Sequence, residues 1–237
     1  MDACVAAIEG GGEHIWGVAA NVTAKACGEN DPREIMRRTV AIAERTGKPI
    51  LYGVRRDTSD WPLADQLEVL RPGDVFTYCF HGDAESIVAG GRIVDAVWEA
   101  RERGVLFDVG HGKGSSDMGV AADAIADGFL PDTVSSDVYN NHLGWTPPHD
   151  LPRTISRLIA IGMPESEALA RSTLRPAQVL GMSGEVGTLA SGTLADLAVL
   201  RWSSDHVPLV DGPDGSRTGP VLEPVLTVRA GRLVPPA

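Results

Sequence analysis

Cysteine is scarce: Cys4, Cys27 and Cys79 are the only three in 237 residues, and none forms a Cys-x-x-Cys pair. An odd count without that spacing argues against a disulfide framework and fits a reducing cytoplasm. Basic residues are also in deficit. Twenty-one Lys and Arg stand against 32 Asp and Glu, a formal charge of −11, which argues against nucleic acid as a partner because phosphates demand cationic clusters. No run of 18 apolar residues exists, so no membrane span is expected. Met1-Asp2-Ala3-Cys4 lacks the basic-then-apolar order of a secretory leader. No internal repeat or low-complexity tract is present. What remains is 43% hydrophobic and 22% charged, an ordinary globular chain long enough for one core, or for a core and a small satellite.

Apolar strand-like runs alternate with helical periods up to about residue 180. The expected order is a helix at 2–8, a strand at 14–21, a helix ending at Arg45, and a strand at 49–54. A helix at 63–70, a strand at 74–79, a helix at 93–103 and a strand at 105–110 follow. The series closes with a helix at 118–126, a strand at 133–137, and helices at 151–161 and 165–180. Asn30-Asp31-Pro32 is a helix start, a capping side chain ahead of a proline. Near-continuously apolar strands between helices indicate parallel β-structure buried by helices. Five such units fit either a doubly wound sheet or part of a (β/α)8 barrel. Beyond Gly181 short strands are expected at 197–202, 207–210, 224–228 and 232–234, broken by a turn at 211–215, as a small β appendage. The domain division is therefore 1–181 and 182–237.

In both parallel architectures chemistry collects at the C-terminal ends of the strands. Those ends bring His81, His111 and Asp137 onto consecutive strands. Any one alone has an ordinary structural explanation: a hydrogen-bonded histidine, a tight glycine turn around His111, or an Asp capping a loop. Asp137 is the strongest candidate, because a carboxylate there can ligate a cation or take a proton from water. The glycine-rich Gly110-His-Gly-Lys-Gly-Ser-Ser116 lacks P-loop spacing, which leaves a backbone anion nest as an alternative. Cys79 reads as a buried, inert thiol. His142 and His149 share a long loop with Trp145, suited to a lid or a specificity wall.

Arg175-Pro-Ala-Gln-Val-Leu-Gly181 followed by Gly-Thr-Leu-Ala-Ser-Gly-Thr-Leu-Ala-Asp-Leu-Ala-Val-Leu from Gly187 resembles the C-terminal signature of the amidohydrolase superfamily. The segments LRPGDVFTYCFHG, ARERGVLFDVGHGKGS and GFLPDTVSSDVY are similar to its dihydroorotase-like deacetylase branch. The resemblance implies a (β/α)8 barrel with a flanking β-sandwich, here represented by barrel strands four to eight, with the sequence opening just before strand four. It implies a metal centre built from His-x-His on strand one, a carboxylated Lys on strand four, His on strands five and six, and Asp on strand eight. Asp137 matches the last of these. The Lys position reads Ala19, with Lys25 too far along to replace it, and the two His positions read Gly53 and Tyr78.

The fold expectation is thus α/β: a partial TIM (β/α)8-type barrel of about five parallel units with a C-terminal β appendage. The functional expectation is a metal-assisted hydrolase of amide or ester bonds in small molecules, with activated esters and phosphotriesters as side substrates. Its candidate centre is one Zn²⁺ on His81, His111 and Asp137, lowering the pKa of a bound water to about 7. Asp137 and His111 are the catalytic candidates, with Lys113, His142 and Tyr78 as substrate-binding candidates. Loss of the usual ligands favours the alternative, a non-catalytic binding or assembly module. Open barrel edges point to a homodimer.

Overall fold

A computed structural model describes residues 1–112, 114–209 and 217–235. The chain opens with helix α1 (Asp2–Gly11) and a short 3₁₀ turn, then strand β1 (Val18–Asn21), α2 (Ala24–Cys27), α3 (Pro32–Thr46), β2 (Ile50–Gly53), α4 (Leu63–Glu68) and β3 (Val75–Thr77). A hairpin of β4 (Val88–Ala89) and β5 (Arg92–Ile93) precedes α5 (Asp95–Glu102), β6 (Leu106–Phe107) and α6 (Met118–Ala126). Helices α7 (Leu151–Ala160), α8 (Glu165–Ala170) and α9 (Leu174–Val179) lead to β7 (Leu197–Trp202), β8 (Val207–Pro208), β9 (Thr218–Gly219), β10 (Leu222–Arg229) and β11 (Arg232–Val234).

The principal sheet is parallel, with strand order β1-β2-β3-β6. A parallel bridge from Asp108 to Thr133 sets the fifth segment beside β6. Strand order therefore follows chain order without the reversal that marks a doubly wound sheet, so the partial-barrel alternative holds. One face of the sheet is dry. Ile50, Tyr52, Phe76 and Phe107 point into it, and Tyr52, Phe76, Phe107 and Phe129 form a chain of rings 5.3–5.9 Å apart. The alternate residues Ala19 and Leu51 lie on the opposite face and are exposed. The period of two inherent in a strand thus separates helix-covered core from barrel interior.

Local chemistry explains the elements. Asp31 caps α3 by accepting from the Arg33 N–H, and Pro32 sits in its first turn, where its missing N–H costs nothing. Asp74, fully buried, accepts from the Ile50 N–H at 2.8 Å and from the Arg71 N–H and guanidinium, joining the lower ends of β2 and β3.

Several boundaries depart from expectation. The first strand begins at Val18 because the preceding glycines close a 3₁₀ turn. The helix expected from residue 93 begins at Asp95, since Gly90 and Gly91, both at positive φ, fold Arg92–Ile93 back into a hairpin. The helix expected over 165–180 is broken between α8 and α9, where Pro176 cannot donate to the preceding turn. The strand expected at 133–137 is an irregular ladder: the Val109 N–H donates to Thr133, the His111 N–H to Ser135, and the Asp137 N–H back to His111. Gly110 at φ +53 turns the chain there. Beyond the barrel, β7, β10 and β11 form an antiparallel sheet, anchored where the Leu222 N–H donates to Ser156 Oγ on α7 at 2.8 Å. The expected strand at 207–210 survives as β8; residue 210 and the turn at 211–215 lie outside the described residues.

Candidate active site at the strand ends

The rim of the partial barrel is assembled from the segments that follow β2, β3, β6 and the 133–137 ladder. After β2 come two arginines with different fates. Arg55 is satisfied: its guanidinium holds Asp60 through Nε and Nη2 at 3.0 and 2.7 Å and donates to the Val22 carbonyl. Arg56 is not. Its guanidinium lies 5.1 Å from the centre of the Tyr78 ring, and its Nε is 3.4 Å from a carboxylate oxygen of Asp83. Nε and Nη1 are both buried without a hydrogen-bond partner.

Tyr78 follows β3 in the left-handed region, φ 65, which non-glycine residues adopt at a cost of order 1–3 kcal/mol. Burial pushes its phenol up, and the Asp137 charge adds to the shift; the Arg56 guanidinium lies against its ring. Gly110 permits this packing, since a Cβ there would fall 2.3 Å from Thr77 Oγ1 and 2.8 Å from the Tyr78 ring. Cys79 is fully buried, and burial drives its thiol well above the ordinary range.

His81 is buried behind this rim. Its Nδ1 accepts from the Asp83 N–H at 3.3 Å, and its Nε2 has no partner. Burial, with the Arg56 charge second, lowers its pKa to about 4. His111, at the end of β6, has Nε2 in close contact with Nη1 of buried Arg157 from α7. The His111 ring stacks on His149 at 5.5 Å, and His149 meets His142 edge-on at 4.7 Å. His142 is buried between Tyr139 and Trp145, with Nε2 unpartnered, as is Nε2 of His149. Asp137 is exposed at the mouth, and its Oδ2 occupies space that a Cβ on Gly112 would enter, at 2.6 Å.

The structure therefore groups His111 with Asp137 through the ladder and with His142 through the loop, and sets Tyr78 within electrostatic reach of Asp137. It does not gather His81, His111 and Asp137 as one ligand set: among the described residues no three His, Cys, Asp or Glu side chains are placed to hold a metal ion. His81 is committed to its own loop. Lys113 lies outside the described residues. Of the ligand positions implied by the resemblance, Asp137 supplies a carboxylate, but those at Ala19 and Gly53 supply no donor. Ala19 carries none, and a side chain at Gly53 would meet Asn21 within 3.2–3.3 Å. The expected zinc has no seat of three donors among the described residues.

Arg56, Asp108 and Arg157 are the rim and sub-rim residues that sequence reasoning passed over. Asp108 accepts from the hydroxyls of Thr77, Thr133 and Ser135 at 2.6–2.7 Å, and burial raises its pKa. An ionisable residue inside the apolar run Val-Leu-Phe-Asp-Val was its available signal; Arg157 had none beyond its place on an amphipathic helix.

Comparison with known proteins locates this arrangement. A model of the amidohydrolase family matches residues 91–227. A deacetylase of Enterococcus faecalis is 27% identical over 226 residues, covering 93% of this chain and 60% of the relative. Deacetylase Atu3266 of Agrobacterium fabrum is 35% identical over 136 residues, 55% of this chain and 33% of the relative. The chain thus spans three-fifths or less of these relatives. A crystal structure of an adenine deaminase superposes with a TM-score of 0.83 at 27% identity over 97% of this chain and 62% of that one. A dihydroorotase structure gives 0.80 at 28% identity, covering 98% and 59%. With the family signature spanning more than half its length and the barrel shared with these structures, the chain belongs to the amidohydrolase family.

Proposed function

We propose that this chain takes part in the hydrolysis of amide bonds in small molecules, with activated esters and phosphotriesters as side substrates. The observation that carries this is the pairing of Asp137 and His111 at adjacent strand ends: the Asp137 N–H donates to the His111 carbonyl at 3.0 Å, and the carboxylate rests against Gly112 at the open mouth. An exposed carboxylate in that place can accept a proton from an attacking water. Arg157, buried against His111, fixes that ring beside the mouth. Tyr78 and His142 form the walls. Zinc lacks a three-donor seat among the described residues, and every role in this scheme belongs to the chain's own groups. Names of relatives that are deacetylases support the amide class.

The domain division at 181/182 and placement in a reducing cytoplasm belong to the same proposal; the latter rests on three free cysteines, two of them buried. No described helix is long and apolar enough to cross a membrane. A non-catalytic role is the second reading, favoured by Ala19, Gly53 and Tyr78 standing where the family resemblance implies ligands. The test is hydrolysis of a panel of N-acetylated amines and activated esters by the purified chain. Turnover that falls about 100-fold or more in Asp137→Asn, with circular dichroism unchanged, is expected of the hydrolase. Absence of turnover above buffer across the panel would reject it in favour of the non-catalytic role.

A further inference from the structure

Three guanidiniums share one cavity at the end of the sheet away from the mouth. The cavity, about 350 Å³, lies beside the start of β6 and is lined by Leu106, Leu130, Asp132, Arg101, Arg171 and Arg175, among others. That volume is at the lower end of small-molecule sites. The arginines come from three elements: Arg101 from α5, Arg171 from the end of α8, and Arg175 from α9. Arg101 is held with its guanidinium carbon 4.3 Å from the centre of the Phe129 ring, and its Nη2 donates to the Leu130 carbonyl and to Asp132. Arg171 donates from Nη1 to the Pro131 carbonyl, and its Nη2 lies 3.0 Å from a carboxylate oxygen of Glu167. Arg175 is exposed, and its described hydrogen bond is to Gln178 Oε1 on its own helix.

We propose that this cavity binds a phosphate group, free or carried by a small molecule, between Arg101, Arg171 and Arg175. The site is separate from the mouth and does not rest on the hydrolase proposal. Its charge supports it first. Three guanidiniums stand against the carboxylates of Asp132 and Glu167, which leaves one positive charge in excess, in a chain of formal charge −11. Like charges gathered at one cavity repel. Burial lowers the pKa of Arg171, and the Arg175 and Arg101 charges pull the same way against Glu167 and Asp132. An anion between the three arginines relieves that repulsion. Geometry then selects the anion. A planar carboxylate offers two oxygens, which a single guanidinium fork satisfies, whereas a tetrahedral phosphate presents oxygens to donors arriving from several directions. Two of the three forks are already fixed, Arg101 by the Phe129 ring and the 130–132 turn and Arg171 by Pro131, so little ordering remains to be done on binding.

Titration calorimetry on the whole chain at low ionic strength, with inorganic phosphate and glycerol 3-phosphate as probes, tests this without requiring turnover. Saturable binding at one site is expected, weakening as salt is added. Arg175→Gln, an exposed change, is expected to weaken both probes by about tenfold or more. Should that variant fail to fold, Glu167→Gln serves in the opposite direction: removing the counter-charge of Arg171 is expected to tighten both several-fold. Asp137→Asn, at the other end of the strands, is expected to leave both affinities as they are. Tighter binding of glycerol 3-phosphate assigns the site to a phosphomonoester and tighter binding of the free ion to inorganic phosphate; either order upholds it. No saturable binding of either probe, acetate binding as tightly as phosphate, or affinities unmoved by Arg175→Gln and Glu167→Gln would overturn the site. A loss of binding in Asp137→Asn would overturn it too, by placing the anion at the mouth.

Discussion

His81 holds its imidazole where desolvation forbids the charged form. With a folded-state pKa of about 4 against an ordinary 6.5, the neutral ring favours folding above pH 6.5. That contribution is lost as pH falls through 6.5 toward 4, because the unfolded chain then binds a proton that the folded chain refuses. The expected loss is about 3 kcal/mol across the window, the free-energy equivalent of that difference in proton affinity. Denaturation midpoints measured from pH 7 to pH 4 are expected to fall steeply for the native chain and less steeply for His81→Gln. Parallel slopes in the two proteins would show that His81 is not the group responsible. The same burial sets His81 apart from His111 and Asp137, since its Nδ1 accepts from the Asp83 N–H of its own loop, a direction that spacing along the chain does not encode. The nearness of Asp137 and His111 was legible because parallel strands place their C-terminal residues at a common rim. Arg56 and Arg157 were not, since an arginine after a strand or on a helix is ordinarily solvated, and only the packed fold reveals a missing acceptor or an imidazole partner.

At the scale of elements, Asp74 shows how a single carboxylate sets strand register. It receives the first N–H of β2 and the backbone and guanidinium of Arg71, and thereby fixes the start of β2 against the start of β3. Asp74→Ala removes four accepted hydrogen bonds at a fully buried point and leaves the Ile50 N–H unpaired. The expected cost is roughly 3–5 kcal/mol, the range for breaking a buried ion pair, read as a lower urea midpoint. Asp74→Asn retains one carbonyl acceptor and is expected to lose less. Equal losses would mean that the charge, and not the acceptor for β2, matters most. The order of the main helices and strands was legible because apolar period and glycine stops act locally, while the short α2 and the β4–β5 hairpin were not. The misplaced boundaries are those decided by glycine and proline backbone preferences at one or two residues: the Gly90-Gly91 hairpin, the break before Pro176, and the ladder that Gly110 bends out of regular strand.

Across the molecule the parallel sheet remains open at β1. The N–H groups of Val18 and Val22 donate toward the β2 side, to Pro49 and Gly53, so by strand alternation those of Ala19 and Asn21 face away from β2, where no described strand pairs with them. The inner face adjoining that edge is also bare, with Ala19 and Leu51 exposed. An unpaired parallel edge beside an apolar surface favours association, since pairing satisfies the backbone groups and removes the apolar face from water together. A homodimer built across β1 is therefore expected for the isolated chain. Sedimentation velocity over a ~100-fold dilution series is expected to show a concentration-dependent shift from dimer to monomer. Leu51→Lys, which puts a charge on the bare face while leaving the helix-covered core untouched, is expected to move that shift to higher concentration. A folded monomer at every concentration would exclude the dimer, and unchanged dimerisation in Leu51→Lys would move the contact away from the barrel interior.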